Sequence, residues 1–175
     1  MKQIFFQSGK VMIDEVPAPD ARDGHILVRV AHSTISSGTE TASLQSSGDP
    51  LWKKAMESPE KVARLVQTAL NEGIGGARQA VADTIGQAAT SGYSLSGTVH
   101  SVGAGVEGFS HGDRVACAGT NFASHAEFVS IPKNLAVAIP ANLEMEPAST
   151  VALGAIALQA VRRASPTLGE TFVVI

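Results

Sequence analysis

Ser36-Ser37-Gly38-Thr39-Glu40 gathers three hydroxyls and a carboxylate within five residues, and Tyr93, the one tyrosine of the chain, adds a phenol farther along. Hydroxyl donors of this kind can hydrogen-bond to charge developing on a reacting oxygen, the chemistry of oxyanion stabilisation. Each has a plainer reading as well. Hydroxyl clusters after a strand commonly bond back to nearby backbone, a tyrosine commonly packs in a core or at its rim with its hydroxyl on one partner, and Glu40 reads equally as a solvated loop acid. The five histidines, His25, His32, His100, His111 and His125, are scattered without metal-ligand spacing and read as structural. Cys117, the single cysteine, stands among small residues and reads as a buried apolar filler, not a nucleophile.

Composition narrows the classes. The 175 residues can hold one domain, or one domain with the first pieces of another. Charged residues are 17% and the formal net charge is −3, which gives no electrostatic case for nucleic acid or an anionic membrane. One cysteine excludes an internal disulfide and a multi-cysteine zinc lobe, and fits a reducing, cytoplasmic compartment. The opening residues form too short an apolar run for a signal peptide, and no stretch reaches the length of a membrane span.

The elements that must position these residues are mostly short strands. Lys2 to Phe6 and Val11 to Val16, joined at Ser8-Gly9, predict a hairpin. His25 to His32 predicts a strand with one mostly buried face. Ser94 to Val102, a strand from Arg114, His125 to Ile131 and Leu135 to Ile139 follow, punctuated by Gly103, Gly105 and Gly108. Many short strands without strand-helix-strand alternation predict an antiparallel barrel or sandwich. Between about residues 45 and 90 the pattern turns helical. Ser58-Pro59-Glu60 is a helix start, Val62, Leu65, Val66, Ala69 and Leu70 form one apolar stripe, and a second helix is expected over Ala77 to Ile85. This reads as an insertion that packs on its stripe, covers a cleft or meets another subunit. A last helix is predicted with Pro147 in its first turn and a nearly uncharged body from Ala148 to Arg163, which requires packing on several sides. Thr171 to Ile175 is a continuous apolar run of the kind found inside parallel sheets.

The order of these pieces resembles the medium-chain dehydrogenase/reductase superfamily. The resemblance rests on Gly112-Asp113-Arg114-Val115, then His125-Ala126-Glu127-Phe128-Val129 with Ile131-Pro132. Upstream it includes Ser96-Gly97-Thr98-Val99 and Val102-Gly103-Ala104-Gly105-Val106, and downstream Gly154 to Leu158 and Leu168 to Ile175. It implies a mainly β fold with helices, a GroES-like partly open β-barrel with a helical insertion, ending at the first strand of a missing Rossmann domain. Residues 1–145 would form the GroES-like substrate domain, and 146–175 the linking helix and first strand of a truncated nucleotide-binding domain. In this family a glycine-rich turn that binds the cofactor pyrophosphate follows next; the chain is expected to be a fragment, with little dinucleotide affinity of its own and inactive alone.

The resemblance also speaks to metal. Zinc members carry a cysteine after the third strand, a histidine in a Gly-His-Glu run, and a cysteine or acid before the last helix of this region. Those positions fall on Ser36, Tyr93 and near Leu153, a set without the nitrogen and sulfur ligands of a tetrahedral zinc site. No metal is therefore expected. By the same resemblance Thr39 stands at a proton-relay hydroxyl, Glu40 at a carboxylate behind the metal position, and Leu153 and Ala157 beside the cofactor.

These readings lead to one expectation and one alternative. The expectation is the substrate-binding part of an NAD(P)-dependent, zinc-independent oxidoreductase, moving a hydride to or from a carbonyl, alcohol or activated alkene of a small-molecule substrate, with homo-oligomerisation open. The alternative is a GroES-like barrel that serves as a non-catalytic binding or assembly module; the vacant zinc positions favour it, and the apolar run at Thr171 to Ile175 opposes it.

Overall fold

The computed structural model of the chain describes residues 1–49 and 89–173. The two helices expected over Ser58 to Leu70 and Ala77 to Ile85 lie outside the described residues. The described residues divide into two compact units, one of residues 2–16, 35–49 and 89–91, the other of residue 1, 17–34 and 92–173.

In the first unit, β1 (Lys2–Gln7) and β2 (Lys10–Glu15) pair antiparallel, and β4 (Ala89–Thr90) adds to the other side of β1. The two-residue turn works because Ser8 and Gly9 both take left-handed backbone, at φ 50° and 73°, the twist that a tight hairpin needs. Ser37 to Glu40, read from the sequence as a loop after a strand, instead open α1 (Ser37–Ser47). This helix has no buried residue and no apolar stripe that would announce it. Its end is fastened to the hairpin by the Gly9 amide, which donates to Ser47 Oγ at 2.9 Å.

The second unit is built on a five-stranded sheet in the order β7-β3-β5-β6-β8, every neighbouring pair antiparallel. Its strands are β3 (His25–Ser33), β5 (Ser94–Val102), β6 (Arg114–Ala118), β7 (Phe128–Pro132) and β8 (Ala136–Ala138). The sheet does not close, since β7 and β8 are its two edges, which agrees with a partly open barrel. Alternation of side chains places Ile26 and Val28, Leu95 and Val99, Val115 and Cys117, and Val129 and Ile131 in one core. Burying each large aliphatic side chain contributes about 1.5–3 kcal/mol, so this face dominates the unit's stability.

The opposite face of the same strands is polar where it meets the helices. Register pairs Ser96 with Ala116 and Ser94 with Ala118, and this face receives α2 (Met145–Ala148) and α3 (Val151–Ala164). Ser94 Oγ donates to the Ser149 carbonyl at 2.5 Å and Ser96 Oγ to the Met145 carbonyl at 2.6 Å. Thr34 Oγ1 also donates to the Ser149 carbonyl, at 2.9 Å.

Several expectations need correction. The single helix from Pro147 to Arg163 is two, broken at Ser149 and Thr150, whose hydroxyls donate to the Glu146 and Pro147 carbonyls and so compete with helix continuation. Most of α3 is not packed: Leu153, Ile156, Leu158 and Val161 are 42–65% exposed. The strand expected from His125 starts at Phe128, because His125 turns its ring to Ser33. Of Leu135 to Ile139, only Ala136–Ala138 is strand, after a 3-10 turn at Lys133–Leu135. Of the run expected as a strand over Thr171 to Ile175, residues 171–173 carry no strand, and residues 174 and 175 lie outside the described residues.

Candidate functional site

Ser36, Thr39 and Glu40 are brought together at the start of α1 by one helical turn. Ser36 is the residue before the helix, in extended backbone, and its hydroxyl donates to Thr39 Oγ1 at 3.1 Å instead of accepting from the free amides of the first turn. Glu40 folds back so that its Oε1 accepts from the Ser36 amide at 3.3 Å, while the Glu40 amide donates to the Ser36 carbonyl at 2.9 Å. The result is a small ring of two hydroxyls and one carboxylate, partly open to solvent. Ser36 can donate to an incoming oxygen only by exchanging its bond, whereas Thr39 Oγ1 accepts in the pair and keeps its own proton to donate.

Tyr93 belongs to the other unit. It follows Gly92, which has φ +99°, and precedes Ser94, which is fully buried in β5. The Tyr93 carbonyl accepts from the Gly119 amide at 2.8 Å. Its main chain is thus fixed on both sides while its half-buried ring carries the phenol.

Sequence reasoning passed over two neighbours of this turn. His125, grouped with four scattered histidines, is 6% exposed, and its Nδ1 lies 2.8 Å from Ser33 Oγ. Ser91 is buried, and its hydroxyl has no hydrogen-bond partner among the described residues, a state that buried polar groups rarely keep. No local sequence pattern marks either residue, and the His125–Ser33 bond joins segments far apart in the chain.

The resemblance puts the zinc positions on Ser36, Tyr93 and near Leu153. Hydroxyl, phenol and an alkyl chain offer no soft donor to a tetrahedral zinc, so these residues do not fit the metal. Among the described residues no group of three or more His, Cys, Asp or Glu could hold a metal ion. Cys117 is fully buried and its thiol is pushed up to about 12 by burial, which removes it as a nucleophile. Leu153 and Ala157 stand on the exposed part of α3. An apolar groove of about 340 Å³ runs between β8 and the helices, lined among others by Ala116, Val137, Ile139, Leu143, Pro147 and Val151; none of the expected site residues borders it. Among the described residues no helix is long and apolar enough to cross a membrane.

Residues 65–141 match the family model of the alcohol dehydrogenase GroES-like domain. None of the curated proteins matches the sequence with significance. The fold is similar to quinone oxidoreductase from Coxiella burnetii, with a TM-score of 0.67 and 20% identity over 97% of this chain and 47% of that one. It is similar to galactitol-1-phosphate dehydrogenase from Escherichia coli, at 0.66 and 16% over 94% and 45%. It is also similar to the quinone oxidoreductase of Escherichia coli, solved with NADPH, at 0.64 and 17% over 94% and 41%. At these identities the likeness is one of fold, and the chain spans less than half the length of these structures. The match over residues 65–141 and the shared architecture together show that the chain has the fold of the alcohol dehydrogenase GroES-like domain.

Proposed function

We propose that this chain is the substrate-binding part of an NAD(P)-dependent, zinc-independent oxidoreductase that moves a hydride to or from a carbonyl, alcohol or activated alkene. The donor set carries the reading: the resemblance puts Ser36 and Tyr93 at the metal-ligand positions of zinc members, and both are hydroxyls. An alcohol dehydrogenase GroES-like match and the fold shared with quinone oxidoreductases support the oxidoreductase class. Residues 1–145 are read as the substrate domain and 146–175 as the link toward a nucleotide-binding domain.

A nicotinamide cofactor supplies or accepts the hydride. The work of this chain's residues is electrostatic and positional. The Tyr93 phenol donates to the oxygen that gains charge as hydride reaches a carbonyl or conjugated alkene, taking the part a Lewis acid plays elsewhere. Ser36 and Thr39 form a hydroxyl pair through which a proton can pass, and Glu40 holds Ser36 in place through its amide. The exposed apolar side chains of Leu153 and Ala157 on α3 offer the surface on which a flat ring can pack.

The test is titration of the protein, in its longest natural form and as the present chain, with NADH and NADPH by fluorescence or calorimetry. It is followed by turnover on quinones, enones and aldehydes with and without a chelator. The reading expects the longer form to bind one dinucleotide and to turn over independently of chelator. Binding of neither dinucleotide supports a recognition or assembly module instead; loss of activity to a chelator removes zinc independence.

A further inference from the structure

We propose that His125 is a positioning residue for Tyr93, acting through Gly92. The proposal rests on the reading of Tyr93 as the oxyanion donor, and its geometry lies wholly in one unit.

A Cβ placed on Gly92 would stand 2.8 Å from the His125 backbone nitrogen and 3.1 Å from both Cγ and Nδ1 of its ring. The backbone and imidazole of His125 thus fill the space a side chain would take on the residue that precedes Tyr93. Gly92 is at φ +99°, a conformation glycine adopts as readily as its mirror image. Something outside the residue must choose the sign, and the nearest group is His125. The ring is held against Gly92 by its Nδ1 hydrogen bond to Ser33 Oγ at 2.8 Å, and burial to 6% exposure leaves it little room to turn.

The next link is Tyr93. Its carbonyl is tied to the Gly119 amide, and Ser94 beyond it is tied to the Ser149 carbonyl and to the Ala152 amide in the first turn of α3. With the chain fixed after Tyr93, a change at Gly92 cannot spread forward along β5 and must appear in the direction of the Tyr93 side chain. His125 and Ser33 are thus the back wall of the turn that aims the phenol. A histidine that merely filled the core would stabilise the whole unit alike and would have no particular hold on Tyr93.

Tyr93 is the one tyrosine of the chain, so tyrosine-specific labelling gives a single ring signal by NMR. His125→Phe keeps a ring and removes the bond to Ser33; Ser33→Ala keeps the histidine and removes its tether, which keeps the question answerable if the first variant does not fold. The expected result is a displaced Tyr93 ring signal in each folded variant, with the methyl signals of Ile26 and Val115 unmoved. A Tyr93 signal unchanged in Ser33→Ala overturns the proposal, and so does a displacement shared by those core methyls. In the reductase assay of the longer form, misaiming the phenol should lower kcat by roughly 10–100-fold with little change in KM. Should Tyr93→Phe leave turnover unchanged, the oxyanion reading fails while the ring signal still decides the positioning.

Discussion

Ser94 and Ser149 are joined by a 2.5 Å hydrogen bond from the Ser94 hydroxyl to the Ser149 carbonyl, across 55 residues of sequence and in full burial. The same Ser94 oxygen accepts from the Ala152 amide at 3.2 Å. One strand hydroxyl therefore satisfies a carbonyl at the helix break and an amide of the first turn of α3, groups that a helix end otherwise leaves without partners. Ser94→Ala should destabilise the chain by about 1–3 kcal/mol, the usual result of leaving buried polar groups unpaired. Denaturant midpoints of wild type and variant measure it, and a loss within error would mean that water replaces the hydroxyl without penalty.

Gly97 gives the sharpest test of the sheet. An added Cβ would collide with the Arg29 carbonyl oxygen and stand 2.8 Å from Val28 Cγ1, in the ladder between β3 and β5. Backbone cannot give way as a flexible side chain can, so Gly97→Ala should cost about 3 kcal/mol or more. Gly105→Ala is the control: nothing lies within 4 Å of its Cβ position, and only its φ of +73° opposes a side chain, about 1–2 kcal/mol. Equal melting temperatures for the two variants would contradict the close approach.

The strands were legible because their alternation is local: β3 and β5 were found at nearly their observed bounds from apolar periodicity and flanking glycine. The Ser8-Gly9 turn was legible from its residue types alone. Helix α1 was not, since Ser37–Ser47 has no apolar stripe and is secured by Ser47 bonding to the distant Gly9. The break at Ser149 was not legible either, because it depends on Ser94 and Thr34 reaching the Ser149 carbonyl from strands far away in sequence. At the site, Ser36, Thr39 and Glu40 could be grouped because one helical turn joins them. His125 could not, because its relation to Gly92 exists only after β5 and the segment before β7 are folded side by side.

Cys117 predicts a pH dependence. Its ordinary pKa of 9.0 rises to about 12 because burial disfavours the thiolate. In the unfolded chain the thiol loses its proton first, so between pH 9 and 12 the unfolded state binds fewer protons than the folded one and stability falls as pH rises. Below pH 9 this contribution is fully present. Native protein at pH 8 should resist thiol reagents and react with one equivalent on denaturation; Cys117→Ser should flatten the stability loss between pH 9 and 12. Rapid labelling of the native chain would contradict the burial.

Tyr93→Phe tests the proposed chemistry while sparing the fold. The substitution keeps the ring and removes only the phenol oxygen, and Tyr93's backbone bond to Gly119 is untouched, so stability should change by less than about 0.5 kcal/mol. If the phenol donates to the developing oxyanion, kcat in the longer reductase should fall about 10²–10³-fold, as for loss of one oxyanion donor elsewhere. Substrate affinity should fall far less, because the charge it meets exists only near the transition state. Ser36→Ala should act differently: it frees Thr39 Oγ1 from its partner and, if the pair passes a proton, lowers turnover most at the pH extreme where that proton must be supplied. Steady-state kinetics across pH for both variants separates the roles. A Tyr93→Phe enzyme with unchanged kcat would leave the hydride-transfer reading without its electrophile.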